Sequence, residues 1–133
     1  MANPFCDIRE FLASFHLRIV SLIRIALSGY WDWKDIEAIA RAGIVGGYAD
    51  GGYHPDAAIN RGQMAVFVSH ALAGSDDAVP PGPATPTFSD VAASFWAYKH
   101  IEYVVAQRIA QGYADGTYGP GNVVTRDQMS IFM

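Results

Sequence analysis

The sequence predicts a mainly α-helical fold, built from tandem helix–loop–helix repeats joined by short Asp-Gly turn loops. Three observations carry this. Residues 30–68 superpose on residues 95–133 at a constant offset of 65, without a gap and with 16 of 39 positions identical. Within each copy, apolar residues recur at three- and four-residue steps, the spacing of one helical face. Each copy also carries a tight-turn signal followed by a helix-start signal at matching positions.

Composition narrows the function classes. In 133 residues, 51% apolar and 17% charged side chains supply a core and exclude global disorder. The net charge of −4, with nine Lys+Arg against thirteen Asp+Glu, argues against a nucleic-acid binder. Cys6 is the only cysteine, so neither an internal disulfide nor a cysteine-based zinc site is available. The most apolar stretch, Phe11 to Leu27, is interrupted by His16, Arg18 and Arg24. A membrane-spanning helix needs about 20 mostly apolar residues. Asp7 and Glu10 precede the stretch where a signal peptide wants a basic start, so no export signal is expected.

The elements follow in order. Residues 1–29 predict an amphipathic helical segment with Phe11, Phe15, Ile19, Leu22, Ile23 and Ala26 on one face. The first repeat spans 30–73. Its first helix is expected from Trp31 to Ala42, with Trp33, Ile36, Ile39 and Ala40 inward, and Gly43 ends it as a left-handed C′ residue. Asp50-Gly51 makes a tight turn between Tyr48 and Tyr53. Asn60 with Gln63 has capping-box spacing and starts a second helix, whose apolar face is Met64, Phe67, Val68, Ala71 and Leu72. Residues 74–87 hold Pro80, Pro81, Pro83 and Pro86 and read as an extended linker.

The second repeat spans 88–133. Phe88-Ser89-Asp90-Val91 leads in, and a helix is expected from Phe95 to Gln107, with Ala97, Ile101, Val104 and Val105 inward. Arg108 stands where the first copy has Gly43. A non-glycine residue in the left-handed region costs about 1–2 kcal/mol, so either this turn is built differently or the second unit is less stable. Tyr113 to Tyr118 repeats the turn, Thr125 with Gln128 repeats the cap, and the sequence stops at Met133, one or two turns into the last helix.

These motifs resemble the S-layer homology repeat. The second copy carries Phe88-Ser89-Asp90-Val91, Trp96-Ala97, Ile101-Glu102, Gly112-Tyr113-Ala114-Asp115-Gly116-Thr117-Tyr118, Pro120 and Val124-Thr125-Arg126-Asp127-Gln128. The first keeps Ile36-Glu37, Gly47-Tyr48-Ala49-Asp50-Gly51, Tyr53, Pro55 and Arg61, with Trp31-Asp32 for Trp-Ala and Asn60 for Thr. The resemblance covers about residues 30–73 and 88–133. It implies a helical bundle of repeats acting as a non-catalytic, bacterial cell-surface anchor that binds cell-wall polysaccharide, often pyruvylated, in grooves between repeats. Family members usually carry three repeats around a pseudo-threefold axis, whereas two are clear here.

Chemistry adds a candidate glycan-binding set. Arg61 and Arg126 each open a helix; a guanidinium grips a carboxylate with two parallel bonds, and a helix N-terminus adds free N–H groups. The alternative is internal pairing with Asp50, Asp115 or Asp90. Trp31 and Trp96 either stack on a sugar ring or fill the helix–loop core, the core being favoured. Gly47, Gly51, Gly112 and Gly116 shape the loops and allow close approach, and Asp90 joins the set from the lead-in. His16, His54, His70 and His100 show no metal-ligand spacing and read as surface or boundary residues. No cofactor, metal or catalytic group is expected. A second reading makes the chain an assembly module, or a piece of a larger surface protein, that self-associates or pairs with another repeat-bearing chain.

Overall fold

The computed structural model describes residues 33–131, apart from the side chains of Arg126, Ser130 and Ile131. The expected helical segment at 1–29 and Trp31 lie outside the described residues. Four helices are described: α1 (Trp33–Arg41), α2 (Arg61–Ala73), α3 (Tyr98–Ala106) and α4 (Arg126–Ile131). The described residues contain no strand, only one isolated antiparallel bridge between Asn60 and Val123. The chain divides into two compact units, Met1–Pro55 and Asp56–Met133. The second unit therefore joins α2, from the first sequence repeat, to the whole second repeat.

In the first unit, α1 buries Ile36, Glu37 and Ala40. Glu37 pairs with Arg41 one turn on. The helix closes with Gly43 N–H donating to Ala40 O and Ile44 N–H to Ile39 O, both 3.0 Å. That is a Schellman motif with Gly43 left-handed, φ 73°. The Asp-Gly loop follows. Gly51 N–H donates to Tyr48 O (2.9 Å) and Tyr48 N–H to Gly52 O (2.8 Å), while Gly51 takes φ 81°.

The second unit repeats both devices. Arg108 N–H donates to Val105 O and Ile109 N–H to Val104 O at 2.9 and 3.0 Å, and Arg108 adopts φ 61°. The turn is thus built the same way, with arginine in a glycine conformation. Gly116 and Tyr113 make the loop bonds of Gly51 and Tyr48. A third position is left-handed in both copies, His54 (φ 54°) in the first and Gly119 (φ 67°) in the second.

The core of the second unit is Ala65, Phe88, Val91, Ala97, Tyr98, Ile101, Val104, Ala110 and Tyr118. The inward face predicted for α3 is the observed one, with Ala97 and Ile101 at 0% exposure. The helix itself starts at Tyr98, because two successive turns, Phe95 N–H to Ala92 O and Tyr98 N–H to Phe95 O, replace its first turn. The face predicted for α2 holds at Met64, which is buried, and Val68, which packs against the core, and is corrected elsewhere. Arg61, Gly62, Met64, Ala65 and Ser69 are buried, while Leu72 is 51% exposed. Small Ala65 and Ser69 let α2 pack against α3, and both buried polar residues have hydrogen-bond partners.

Asn60 caps α2 with the full capping box predicted: its side chain accepts from Gln63 N–H, and Gln63 Oε1 accepts from Asn60 N–H. Thr125 keeps half of it, since Gln128 accepts from Thr125 N–H (3.2 Å) but the Thr125 hydroxyl donates to Asp127. Residues 74–87 contain neither helix nor strand, yet they are tied to α3. Tyr98 OH donates to Pro83 O, and buried Glu102 accepts from Thr87 N–H (2.8 Å) and Thr87 Oγ1 (2.7 Å). No described helix is long and apolar enough to cross a membrane.

Candidate functional site

The loop of the second repeat is held from two sides. From the lead-in, Phe88 and Val91 insert into the core and aim the intervening Asp90 at the loop. Its two carboxylate oxygens accept from Tyr118 N–H (2.8 Å) and Gly119 N–H (2.7 Å). Asp90 is thus engaged by loop amides rather than by an arginine. Within the loop, Asp115 accepts from Thr117 N–H (3.0 Å) and Thr117 Oγ1 (2.6 Å). These bonds, the hydroxyl's foremost, hold its carboxyl below the usual carboxylate range. In the first unit Asp50 accepts from Gly52 N–H and meets His54 Nε2 at 2.7 Å, and these contacts, the Gly52 amide's foremost, hold its carboxyl below the usual carboxylate range.

From the other side comes Arg61, only 8% exposed. Its Nε donates to Tyr118 O (2.9 Å) and its Nη2 to Gln111 O (2.7 Å). The guanidinium carbon lies 4.5 Å from the Tyr118 ring centroid and 5.1 Å from that of Tyr113. The partners of Arg61 are therefore carbonyls and tyrosine faces, not Asp50, Asp90 or Asp115. Nη1 has no protein partner among the described residues and remains a donor. The expectation of free amides at the head of α2 is corrected: Arg61 N–H donates to Asn122 O, Gly62 N–H to Pro120 O and Met64 N–H to Asn60 O, each 2.9 Å, and Gln63 N–H is taken by the cap. The bridge at Asn60–Val123 brings those carbonyls into reach.

The expectation that Trp96 fills the core is also corrected. Its ring is 60% exposed, because Ala97 and Tyr98 occupy the space beneath. It leans on Phe95 at 5.4 Å and closely approaches Gly62, where an added Cβ would lie 3.5 Å from the indole. Tyr113 is 44% exposed and Val123 57% exposed. Gly112 is needed for close packing, since a Cβ there would fall 2.2 Å from the Phe88 ring. Gly116 needs its positive φ instead, 83°. Arg126 begins α4; Gly47 and Gly51 belong to the loop of the first unit. An open groove of about 360 Å³ lies elsewhere, lined by Pro80, Pro83, Lys99, Tyr103 and Gln107 among others.

Sequence reasoning missed two groupings. One is the pair of tyrosines, Tyr113 and Tyr118, whose rings approach the Arg61 guanidinium. The other is His70, Asp76 and His100, whose donor atoms all lie within 4.8 Å of one another. His100 is not a surface residue; it is 4% exposed. No local spacing signals the cluster, because it joins the end of α2, the linker and the start of α3.

Comparison with known proteins follows the same outline. A model of the S-layer homology domain matches residues 27–65 and 87–130. Over 84 residues, 63% of this chain, the sequence is 34% identical to cell surface glycoprotein 1 of Acetivibrio thermocellus and 34% identical to the cellulosome-anchoring protein of that organism. Over 92 residues, 69% of the chain, it is 27% identical to the middle cell wall protein of Brevibacillus brevis. The matched regions make up 4%, 19% and 9% of those relatives, so the chain corresponds to a small part of each. No solved structure matches significantly.

Proposed function

Since this chain belongs to the S-layer homology domain family, we propose that it works as a non-catalytic cell-surface anchor whose ligand is an anionic wall polysaccharide. The observation that carries this is the double family match, supported by an exposed aromatic surface beside a braced arginine. Trp96 offers a flat, solvent-facing indole for a sugar ring. Arg61 offers Nη1 to a carboxylate such as that of a pyruvyl ketal, and its other two nitrogens keep the loop in shape. Arg126 holds the equivalent sequence position at α4, and we assign it the same ligand chemistry. Gly112 and Gly116 keep the loop backbone open to approach, with Asp90 fixing its amides. In the first unit Gly47 and Gly51 play the loop role, and Trp31 the aromatic one.

The test is sedimentation of the chain with purified bacterial wall material, before and after mild acid removal of ketal groups. Trp96→Ala and Arg126→Ala are compared with the parent, each checked for folding by circular dichroism. Binding that falls at least tenfold in Trp96→Ala and after acid treatment supports the reading. A folded parent chain that does not bind overturns it. Association into defined oligomers without wall binding would instead support the assembly module.

A further inference from the structure

We propose that His70, His100 and Asp76 form a binding site for a divalent transition metal, zinc foremost, that clasps the inter-repeat linker to α2 and α3. His70 lies in the last turn of α2, and His100 in the first turn of α3. Gly74, left-handed at φ 88°, ends α2 and turns the chain back, which places Asp76 over both rings. Asp76 Oδ1 lies 3.3 Å from His70 Nε2 and 3.2 Å from His100 Nε2. Zinc–nitrogen and zinc–oxygen bonds of about 2.0–2.1 Å in a tetrahedron place neighbouring ligand atoms about 3.3 Å apart. Two edges of the site already have that length, and all three donor atoms fall within 4.8 Å.

Hydrogen bonding around His100 accommodates the tautomer that frees Nε2 to act as a metal ligand. Ser69 Oγ lies 2.8 Å from Val66 O and 2.7 Å from His100 Nδ1 and has one proton for the two; when the carbonyl takes it, Nδ1 carries the ring proton and donates to Ser69. In that tautomer the neutral ring presents its Nε2 lone pair beside a carboxylate oxygen, 3.2 Å away, two acceptors face to face. A cation between them resolves the conflict. The other tautomer, with Ser69 donating to Nδ1 and Nε2–H donating to Asp76 Oδ1, is the arrangement of the metal-free protein, and metal binding exchanges one for the other. The outer contacts are those that orient metal ligands: Ser69 fixes the imidazole, and Lys99 Nζ holds Asp76 Oδ2 at 2.8 Å and Asp76 O at 3.0 Å, leaving Oδ1 to the metal. Two imidazoles and one carboxylate suit zinc, nickel or copper rather than calcium or magnesium, which prefer all-oxygen shells. The fourth position falls to water.

The experiment is calorimetric titration of the untagged, chelator-stripped full chain with Zn²⁺, Ca²⁺ and Mg²⁺. The parent, His70→Gln, Asp76→Asn and Ser69→Ala are compared, and Co²⁺ absorption reports the geometry. One equivalent of Zn²⁺ is expected in the parent, with at least a tenfold loss of affinity in His70→Gln and in Asp76→Asn. Ser69→Ala should weaken binding about tenfold, and Ca²⁺ and Mg²⁺ should give no heat. His70 and Asp76 are the decisive positions because both reach solvent, and circular dichroism verifies that their variants fold. Absence of Zn²⁺ binding by the folded parent overturns the proposal. So does affinity unchanged in His70→Gln, which would assign the metal to His16, His54 or Cys6.

Discussion

Arg61→Ala should destabilise the second unit by about 3 kcal/mol. The arginine donates two hydrogen bonds, to Tyr118 O and Gln111 O, and bonds from charged groups are worth about 1.5–3 kcal/mol each. Its stacking on Tyr118 and Tyr113 adds about 0.5–2 kcal/mol. Against these stand roughly 2 kcal/mol of side-chain entropy regained by removing the arginine, and its relief from desolvation. The balance is about 3 kcal/mol, a large part of the roughly 4–12 kcal/mol available to the 78-residue unit Asp56–Met133. Thermal unfolding followed by far-UV circular dichroism should show the midpoint falling by about 12–24 °C. Arg61→Lys keeps the charge but not the fork, and should fall between parent and alanine. A midpoint within about 3 °C of the parent in Arg61→Ala would refute the view that this residue braces the loop. The size of the effect also governs how binding data are read, since loss of wall binding in Arg61→Ala reports on folding as much as on contact.

Two further perturbations follow from the same structure. Arg108→Gly should raise stability by about 0.5–1 kcal/mol, the left-handed strain of about 1–2 kcal/mol less the entropy glycine gains on unfolding; equal or lower stability in urea unfolding would contradict the assigned φ. Acid should weaken the fold in two stages. Burial foremost lowers the His100 pKa below its ordinary 6.5, so as pH falls through that value the unfolded chain binds the proton first and stability drops. Lys99 foremost lowers the Asp76 pKa below 3.8, so the stability it lends persists above that value and is lost as pH falls through the depressed one. The groups facing His100 are Asp76, His70, Lys99 and Ser69. Urea midpoints in chelator should decline from pH 7.5 to 5.5 in the parent and flatten in His100→Gln; a decline of equal size in both would point to another histidine.

Local features were legible in the sequence because their causes are local. The Asn60 cap, the left-handed Gly43 and the Asp-Gly turns each depend on a few neighbouring residues, and spacing alone reports them. The buried face of α2 was legible only at Met64 and Val68. Its polar members, Arg61 and Ser69, go inward only because carbonyls from the second repeat and a histidine on α3 receive them, and those partners lie 31 to 57 residues away. Trp96 was misjudged for a related reason. Its neighbours Ala97 and Tyr98 fill the core first, which only the packed structure reveals. Arg108 shows the limit from the other direction: tertiary packing of Val104 and Ala110 against the core overrides a local preference worth about 1–2 kcal/mol.

The sequence repeat and the compact unit do not share a boundary, and the reason lies in Arg61. Read as sequence, it closes the first copy. In the structure its side chain serves the loop of the second, reaching Gln111 and Tyr118 across the linker. The amides at the head of α2 do likewise, donating to Asn122 and Pro120. The linker lies between these partners in sequence, and Tyr98, Lys99 and Glu102 hold it onto α3. The motif arginine thus couples consecutive copies: it fixes the loop tyrosines of the following copy, and with them the surface on which Trp96 and Tyr113 are exposed. Conformation at one copy's candidate ligand surface depends on the helix of the copy before it. That dependence gives a tandem array a physical reason to keep its arginine, its Asp-Gly loop and its paired tyrosines together at a fixed spacing.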